Sequence, residues 1–289
     1  MKKIQYLLLA IACLFTVSCH KDNGTAKVHV RVNDFTISQE EIGTKSSTDV
    51  ADYSGVKAIT LAFYKADGTE QYKTTQMRAD ASTYTTFGHF DLSLPMGSYT
   101  MVVLGYGLNE GEPAITLTSP TSATFGDYPA RETFVATQAV SITNTDALEL
   151  NATLNRVVAK LKVLSTDGRT ANTNSVRITT SGGSKAFNPS TGLATSNTGF
   201  SNTVNITSTA VGSVAGPVSY LFLATDEQTV NVTIDVLDEN NQTISHKEVN
   251  NVPLQRNRMT KLVGSIFTAS GDGSFQVETG WLDDYNMDF

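Results

Sequence analysis

Ala147-Leu-Glu-Leu-Asn-Ala-Thr-Leu-Asn-Arg156-Val-Val-Ala-Lys-Leu-Lys-Val-Leu164 is the stretch on which the fold turns. Leu148, Leu150, Ala152 and Leu154 alternate with polar residues, the period of a half-buried strand. The parity breaks at Arg156 and resumes as Val157, Ala159, Leu161 and Val163. A slip of one residue sends every later side chain to the opposite face. The break therefore predicts a bulge, or a strand that leaves one sheet and joins another. Leu150, Leu154, Val157, Leu161 and Leu164 also fit a helical spacing. The strand reading is preferred, because the flanks are strand-like and no N-cap residue opens the run. A division of the chain is expected near Thr153 to Arg156, giving domains over 19–153 and 154–289.

Outward from this stretch the same grammar repeats. Val28, Val30 and Val32 alternate with Lys27, His29 and Arg31. The polar segment from Ser38 to Gly55 reads as a long exposed connection. Ala58 to Tyr64 and Glu70 to Thr75 read as a hairpin around Asp67-Gly68, a pair that supplies the positive φ of a tight turn. Gly88 to Leu94 alternates, Pro95-Met-Gly-Ser98 turns the chain, and Tyr99 to Leu104 is apolar. Gly107 to Pro129 reads as a loop with a strand-like piece at Ala114 to Leu117, before Thr133 to Ala136 and Gln138 to Ile142 resume the sheet. Later, Ser175 to Thr180 is a strand and Ser181 to Asn202 a loop. Tyr220 to Ala224 is an apolar, central strand. Val230 to Leu237 and Thr243 to Val249 form a hairpin around Asn240-Asn241. The two hairpins, each followed by a Pro-containing turn and a further strand, suggest two tandem copies of one β-sandwich topology.

Composition agrees. Thr and Val favour strands, and Asn, Gly and Ser favour turns. Charged residues are only 17% of the 289, and the net charge is −7. An acidic chain is a poor partner for nucleic acid, whose phosphates need a basic surface.

The chain opens with Lys2-Lys3, an apolar run to Val17, and Ser18-Cys19 before polar residues. A charged start, a short apolar run and a small residue before the cut describe a secretory signal over residues 1–18. Ser18-Cys19 resembles a bacterial lipobox, in which Cys19 is acylated and becomes the mature N-terminus, although Thr16 stands where Leu is usual. An ordinary signal peptide with an incidental cysteine is the alternative. Loss of Lys2 and Lys3 would take the charge from −7 to −9. The remaining cysteine, Cys13, would leave with the signal, so no internal disulfide is expected.

Catalytic and metal motifs are not found. His20, His29, His89 and His246 lack the close spacing of a zinc pair. No Gly-x-Ser-x-Gly, P-loop or dinucleotide glycine cluster occurs. Asp238-x-Asn240-x-Gln242 lacks the glycine and distal glutamate of a calcium loop and reads as a hairpin turn. No catalytic residue, metal ligand or cofactor is predicted.

The order of features resembles the fimbrillin-like superfamily, which builds the type V pili of Bacteroidales. Leu94-Pro-Met-Gly-Ser-Tyr-Thr-Met-Val-Val103 looks like that family's Leu-Pro-x-Gly-x-Tyr strand opening. Leu154-Asn-Arg-Val-Val-Ala-Lys-Leu-Lys-Val163 is similar to the Arg-x-Val-Ala-Lys strand that begins its second domain. Val252-Pro-Leu-Gln-Arg-Asn-Arg-Met-Thr260 resembles its late Pro-Leu-x-Arg-Asn-x-x-Thr signature, and Trp281 falls near the C-terminus.

The resemblance implies an all-β chain of two tandem transthyretin-like β-sandwich domains after a lipoprotein signal peptide. It implies a tether to the outer membrane through lipid on Cys19, and other pilus subunits as partners by strand exchange. A host or bacterial surface ligand would follow for an adhesive member. In shaft subunits a protease removes the first strand, often after an arginine, and a donor strand refills the groove. Here Val28 to Val32 would be that strand. The segment after it carries Lys45, and no arginine follows before Arg78. Either Lys45 is the cleavage point or the strand is retained. The donor would come from Phe275 to Phe289, with Phe275, Val277, Tyr285, Met287 and Phe289 alternating in two short runs. The alternative is that this tail is the last strand of its own domain. A surface lipoprotein that binds glycan is the rival function, which the single tryptophan disfavours, since glycan modules usually offer aromatic platforms.

Overall fold

The computed structural model describes residues 24–39, 44–268 and 275–280. The first half contributes β1 (Thr25–Gln39), β2 (Thr44–Asp49), β3 (Ala58–Lys65), β4 (Glu70–Met77), β5 (His89–Pro95) and β6 (Gly97–Tyr106). It continues with β7 (Thr116–Ser119), β8 (Ser122–Thr124), β9 (Thr133–Ile142) and β10 (Leu148–Arg156). The second half holds β11 (Ala159–Ser165), β12 (Ser175–Thr180), β13 (Ala186–Asn188), β14 (Leu193–Ala194) and β15 (Phe200–Asn205). It ends with β16 (Val218–Leu221), β17 (Glu227–Leu237), β18 (Thr243–Gln255), β19 (Met259–Gly264) and β20 (Gln276–Gly280). Among the described residues the only helical turn is a 3₁₀ piece at Ala81–Thr83.

The parity break at Arg156 is a change of sheet. β10 pairs with β1 in parallel and touches β9 only at Asn155↔Val135 and Arg156↔Phe134. Two residues later β11 pairs with β16 and β19, in a different sheet. Val157 and Val158, between them, are both buried. No helical reading survives here.

One pairing plan is used twice. In the first half β5-β1-β10 lies against β4-β3-β6-β9, with β1 and β10 parallel and the other neighbours antiparallel. In the second half β16-β11-β19 lies against β15-β12-β17-β18, with β11 and β19 parallel and the rest antiparallel. Each pair of layers encloses its own apolar cluster. Val28, Val30, Leu61, Phe63, Met101 and Leu154 lie in the first, and Leu161, Ile178, Val232, Ile234 and Leu262 in the second.

This repeat has a different register from the one the hairpins suggest. The Asp67-Gly68 hairpin, β3–β4, matches β12 and β15. The Asn240-Asn241 hairpin, β17–β18, matches β6 and β9. The connection from β12 to β15 carries β13 and β14 inside it, so its strands are hidden in a stretch that reads as a loop.

A third apolar cluster joins the halves. β7 and β8 form a small sheet with β13 and β14, through Thr124↔Ala186 and Ala123↔Phe187. Phe187 stacks on Phe222 with centroids 4.1 Å apart, and Phe125 follows at 6.3 Å from Phe222. Tyr64, Leu104, Tyr106 and Val157 complete this cluster. β3 is therefore buried on both faces, which explains why Ala58-Ile-Thr-Leu-Ala-Phe-Tyr64 has no polar alternation.

Three further expectations change. β2 is a strand inside the supposed connection. Its sequence, Thr-Lys-Ser-Ser-Thr-Asp, has no apolar period to read, and it forms by backbone pairing with the second half of β1. β9 is continuous from Thr133 to Ile142. β16 is an edge strand, not a central one. The run around it is apolar because Phe222 and Leu223 are wholly buried, Phe222 in the joining cluster.

Because Phe187 and Phe222 share one stack, Phe222→Ala is expected to cost about 3–5 kcal/mol of unfolding free energy. In a Phe187→Ala background the added cost should be smaller than in the wild type. Urea titrations of the four proteins check both statements.

Candidate assembly site

β1 begins as an alternating sequence and ends as the most enclosed strand of its layer. Ala26, Val28, Val30 and Val32 are at most 1% exposed. On one side β1 runs antiparallel to β5 from Thr25↔Pro95 to Arg31↔His89. On the other it runs parallel to β10 from Val28↔Leu148 to Thr36↔Asn155, with a register shift between Val32 and Asp34.

Its outward residues clip the register. His29 lies opposite Asp91, with Nδ1 2.6 Å from Asp91 Oδ1, and Arg31 Nη1 donates to the same oxygen at 3.2 Å. The His29 hydrogen bond is the main reason the Asp91 carboxyl titrates below its ordinary value, and Arg31 adds to it. Asp91 is mostly exposed, so this cluster sets alignment more than stability. At the far end Val32 N–H donates to Gly88 O at 3.0 Å. Gly88 has φ +90°, and a Cβ there would stand 2.8 Å from Val50 Cγ1 and 3.1 Å from Val32 O. Only glycine lets the chain pass this close to β1.

Burying three valines is worth about 5–9 kcal/mol at the usual 1.5–3 kcal/mol each. That is comparable to the whole stability of a typical domain, roughly 5–15 kcal/mol. A chain deprived of β1 would also expose the facing edges of β5 and β10. The slot therefore cannot remain empty in a folded protein.

The other sequence-predicted residues fall as follows. Lys45 lies in β2, paired opposite Ser38 of β1, so a cut there would free all of β1. Cys19, Tyr285, Met287 and Phe289 lie outside the described residues. Phe275 and Val277 belong to the segment that forms β20, which runs antiparallel to β19 from Gln276↔Val263 to Gly280↔Met259. This is the arrangement of a last strand within its own sheet.

β20 is held lightly. Gln276 to Thr279 are exposed, and Val277 keeps 40% of its surface. Its main apolar hold is Phe275, which is packed against the second cluster. The Phe275 ring sits where a side chain on Gly264 would be, with Cδ1 2.7 Å from an ideal Cβ. Just before, the chain is fixed by Asp167. That carboxylate accepts Ser265 Oγ at 2.6 Å and the N–H groups of Ile266, Phe267 and Thr268, each at 2.9 Å. Burial alone would raise the Asp167 pKa. The Ser265 hydroxyl and the three amides outweigh it, so the group titrates below its ordinary value. Sequence reading missed Asp167, whose partners lie about a hundred residues away and leave no local pattern.

The fold and the site thus define an all-β protein of sandwiched sheets, with a buried N-terminal strand and a lightly attached C-terminal one. The chain belongs to the family described as "Family of unknown function (DUF6562)", which it matches over residues 22–288. A search of curated protein sequences finds no match. Among solved structures, one candidate adhesin from Bacteroides ovatus is 11% identical with a TM-score of 0.54, over 90% of this chain and 97% of that one. A second from the same species is 13% identical with a TM-score of 0.51, over 80% of this chain and 84% of that one. The fimbrial anchor protein Mfa2 of Porphyromonas gingivalis aligns over 89% of this chain and 97% of that one, at 13% identity and a TM-score of 0.48. At these identities the first two likenesses are likenesses of fold.

Two outcomes are expected at the C-terminal edge. Gly264→Val should expel the Phe275 ring and release β20, seen as faster amide exchange over 276–280 with the second core still protected. Asp167→Ala should cost at least ~2 kcal/mol, since charge-assisted hydrogen bonds are involved. The Asp167 contribution is present above the unfolded carboxylate value and lost as pH falls through the lowered folded one. Acid should therefore erase the difference between wild type and Asp167→Ala only below the ordinary carboxylate range, in urea titrations across pH.

Proposed function

We propose that this protein is a cell-surface fimbrial subunit, structural or anchoring, that assembles by strand addition and serves adhesion. It consists of two transthyretin-like β-sandwich domains, over 19–153 and 154–289. It is exported as a lipoprotein acylated at Cys19 and held at the outer membrane, and it carries out no catalysis. One observation carries the reading: the N-terminal strand fills a slot between two other strands with alternate apolar side chains, each fully buried. Strand addition uses main-chain pairing for affinity and pockets for alternate side chains for specificity. A fold shared with candidate adhesins of Bacteroides ovatus supports the same reading.

In this reading β1 is either the protein's own permanent strand, as an anchor would have, or a placeholder removed by cleavage at Lys45. The donor is the segment containing Phe275, Val277, Tyr285, Met287 and Phe289, passed from one subunit to the next. The weak hold on β20 suits a strand that must leave its own sheet. The lack of an arginine between β1 and Arg78 favours retention of β1, and with it an anchoring position.

The mass of surface-extracted protein decides between the two forms. A shaft subunit loses residues up to about Lys45 and runs as a ladder of SDS-resistant species. An anchor keeps an acylated Cys19 and β1, and caps such a ladder only when a partner subunit is supplied. If Cys19→Ala changes neither mass nor membrane retention, the lipoprotein reading fails. If neither form ever joins another subunit, strand addition fails.

A further inference from the structure

The two halves follow one pairing plan, and one position of that plan is filled only once. In the second half the outer edge of β19 is covered by β20, from Val263↔Gln276 to Met259↔Gly280. The first-half equivalent of β19 is β10, which is the parallel partner of β1 as β19 is of β11. Among the described residues β10 meets β9 only at Asn155 and Arg156, so over 148–154 the edge turned away from β1 has no strand partner. Connectivity explains the gap. After β19 the chain returns as β20, whereas after β10 it runs on into β11 through Val157 and Val158. A cleft of about 760 Å³ opens beside this edge, with Asn151 of β10 and Gln138 of β9 in its lining.

An unpaired strand edge is a template for another strand, and charged side chains decide what it admits. Here the charged residues form a row. On the solvent face Asp91 of β5 lies opposite His29 of β1, and His29 lies opposite Glu149 of β10. Glu149 is exposed at the open edge. Matching the first inward pair of each half, Val28↔Leu148 with Leu161↔Thr260, puts Glu149 where Lys261 stands in the second half. There the row is Lys162, Lys261 and Glu278, so the acidic residue of β20 completes a basic edge. The open edge of β10 has the opposite sign. On its inward side Leu148 and Ala136 are only partly buried against the first apolar cluster, and they form a rim that a further strand would cover.

We propose that this edge docks an extended segment of a different protein, antiparallel to β10, with a basic residue facing Glu149 and apolar residues at the alternate positions. Main-chain pairing along β10 supplies the affinity, the rim at Leu148 and Ala136 receives the apolar side chains, and Glu149 selects the partner. Opposite charges directly across a strand pair are favourable, and like charges are not. β20 of a second copy would bring Glu278 to Glu149, so the same residue turns the chain's own strand away. β1 stays seated throughout. The inference therefore does not rest on the exchange of β1, and it stands or falls apart from that reading.

The test uses the full-length purified protein with β1 intact and two labelled peptides, Ser-Val-Lys-Val-Thr-Val-Ser and its glutamate counterpart Ser-Val-Glu-Val-Thr-Val-Ser. Fluorescence anisotropy gives the affinities, and amide exchange gives the place. The lysine peptide should bind severalfold more tightly than the glutamate peptide, and it should slow exchange over 148–154. Glu149→Lys should reverse the preference, and Glu149→Gln should level it. The hexapeptide Phe-Gln-Val-Glu-Thr-Gly, the sequence of 275–280, should bind Glu149→Lys severalfold better than the wild type. Position 149 faces solvent, and an unchanged thermal midpoint shows that the variants are folded. The inference is overturned if neither peptide slows exchange over 148–154, if the wild type does not prefer the lysine peptide, or if Glu149→Lys leaves the preference unchanged. Faster exchange over 26–32 on peptide binding would mean that β1 had been displaced, which supports exchange in the β1 slot and overturns addition at the open edge.

Discussion

The parallel seating of β1 between β5 and β10 is the constraint on which the first half depends. Ala26, Val28, Val30 and Val32 supply one face of a core that Leu61, Phe63, Met101 and Leu154 complete from the other strands. A parallel neighbour cannot be reached by a tight turn. β1 and β10 are indeed the first and last large strands of their half, so their pairing closes it across more than a hundred residues. Closing a loop of that length carries an entropy cost that the buried face of β1 has to offset. In the strand-addition reading proposed above, the same seating that makes β1 indispensable is what a strand from another chain would use.

The second half repeats the plan with β11 in the place of β1, but with a different connection to the chain. β11 follows β10 after only Val157 and Val158, both buried, so it has no free end. Phe187 and Phe222 bind its neighbours to the first half through the joining cluster. The same pairing rules thus seat two strands that differ in connectivity: β11 is continuous with β10 through two buried residues, whereas β1 is separated from its parallel partner by over a hundred.

This also marks how far the sequence could be read. Strands with one wet face were legible: the outward Glu149, Asn151, Thr153 and Asn155 of β10 alternate with inward residues over its whole length. The change of sheet was legible in part: the parity break at Arg156 called for a bulge or a change of sheet, and only the pairing of β11 with β16 and β19 decides which. β2 was not, since Thr44 to Asp49 pair through the backbone and carry no apolar side chain. Nor was β15, where Phe200-Ser-Asn-Thr-Val-Asn205 holds one edge of its sheet with little apolar content. The β1 slot could be anticipated from Val28 to Val32 and the family motifs. The Asp167 anchor could not, because its partners at 265–268 are about a hundred residues away.

The two ends of the chain are held by opposite means. β1 is locked by apolar side chains and by pairing with β5, β10 and, over its second half, β2. β20 has one strand neighbour, an exposed face and a single aromatic foothold beside Gly264. The polar anchor at Asp167 stops short of it, fixing residues 265–268 to the body of the second half. A strand beyond a fixed point can detach without unravelling what precedes it; among the described residues its hold is five pairs with β19 and the Phe275 contact. Detachment from an edge exposes one unpaired edge of β19, which water can satisfy, whereas vacating the β1 slot exposes a core. Under the strand-addition reading proposed above, this asymmetry would set an order, with β20 leaving its edge first and the β1 slot emptying only as it is filled.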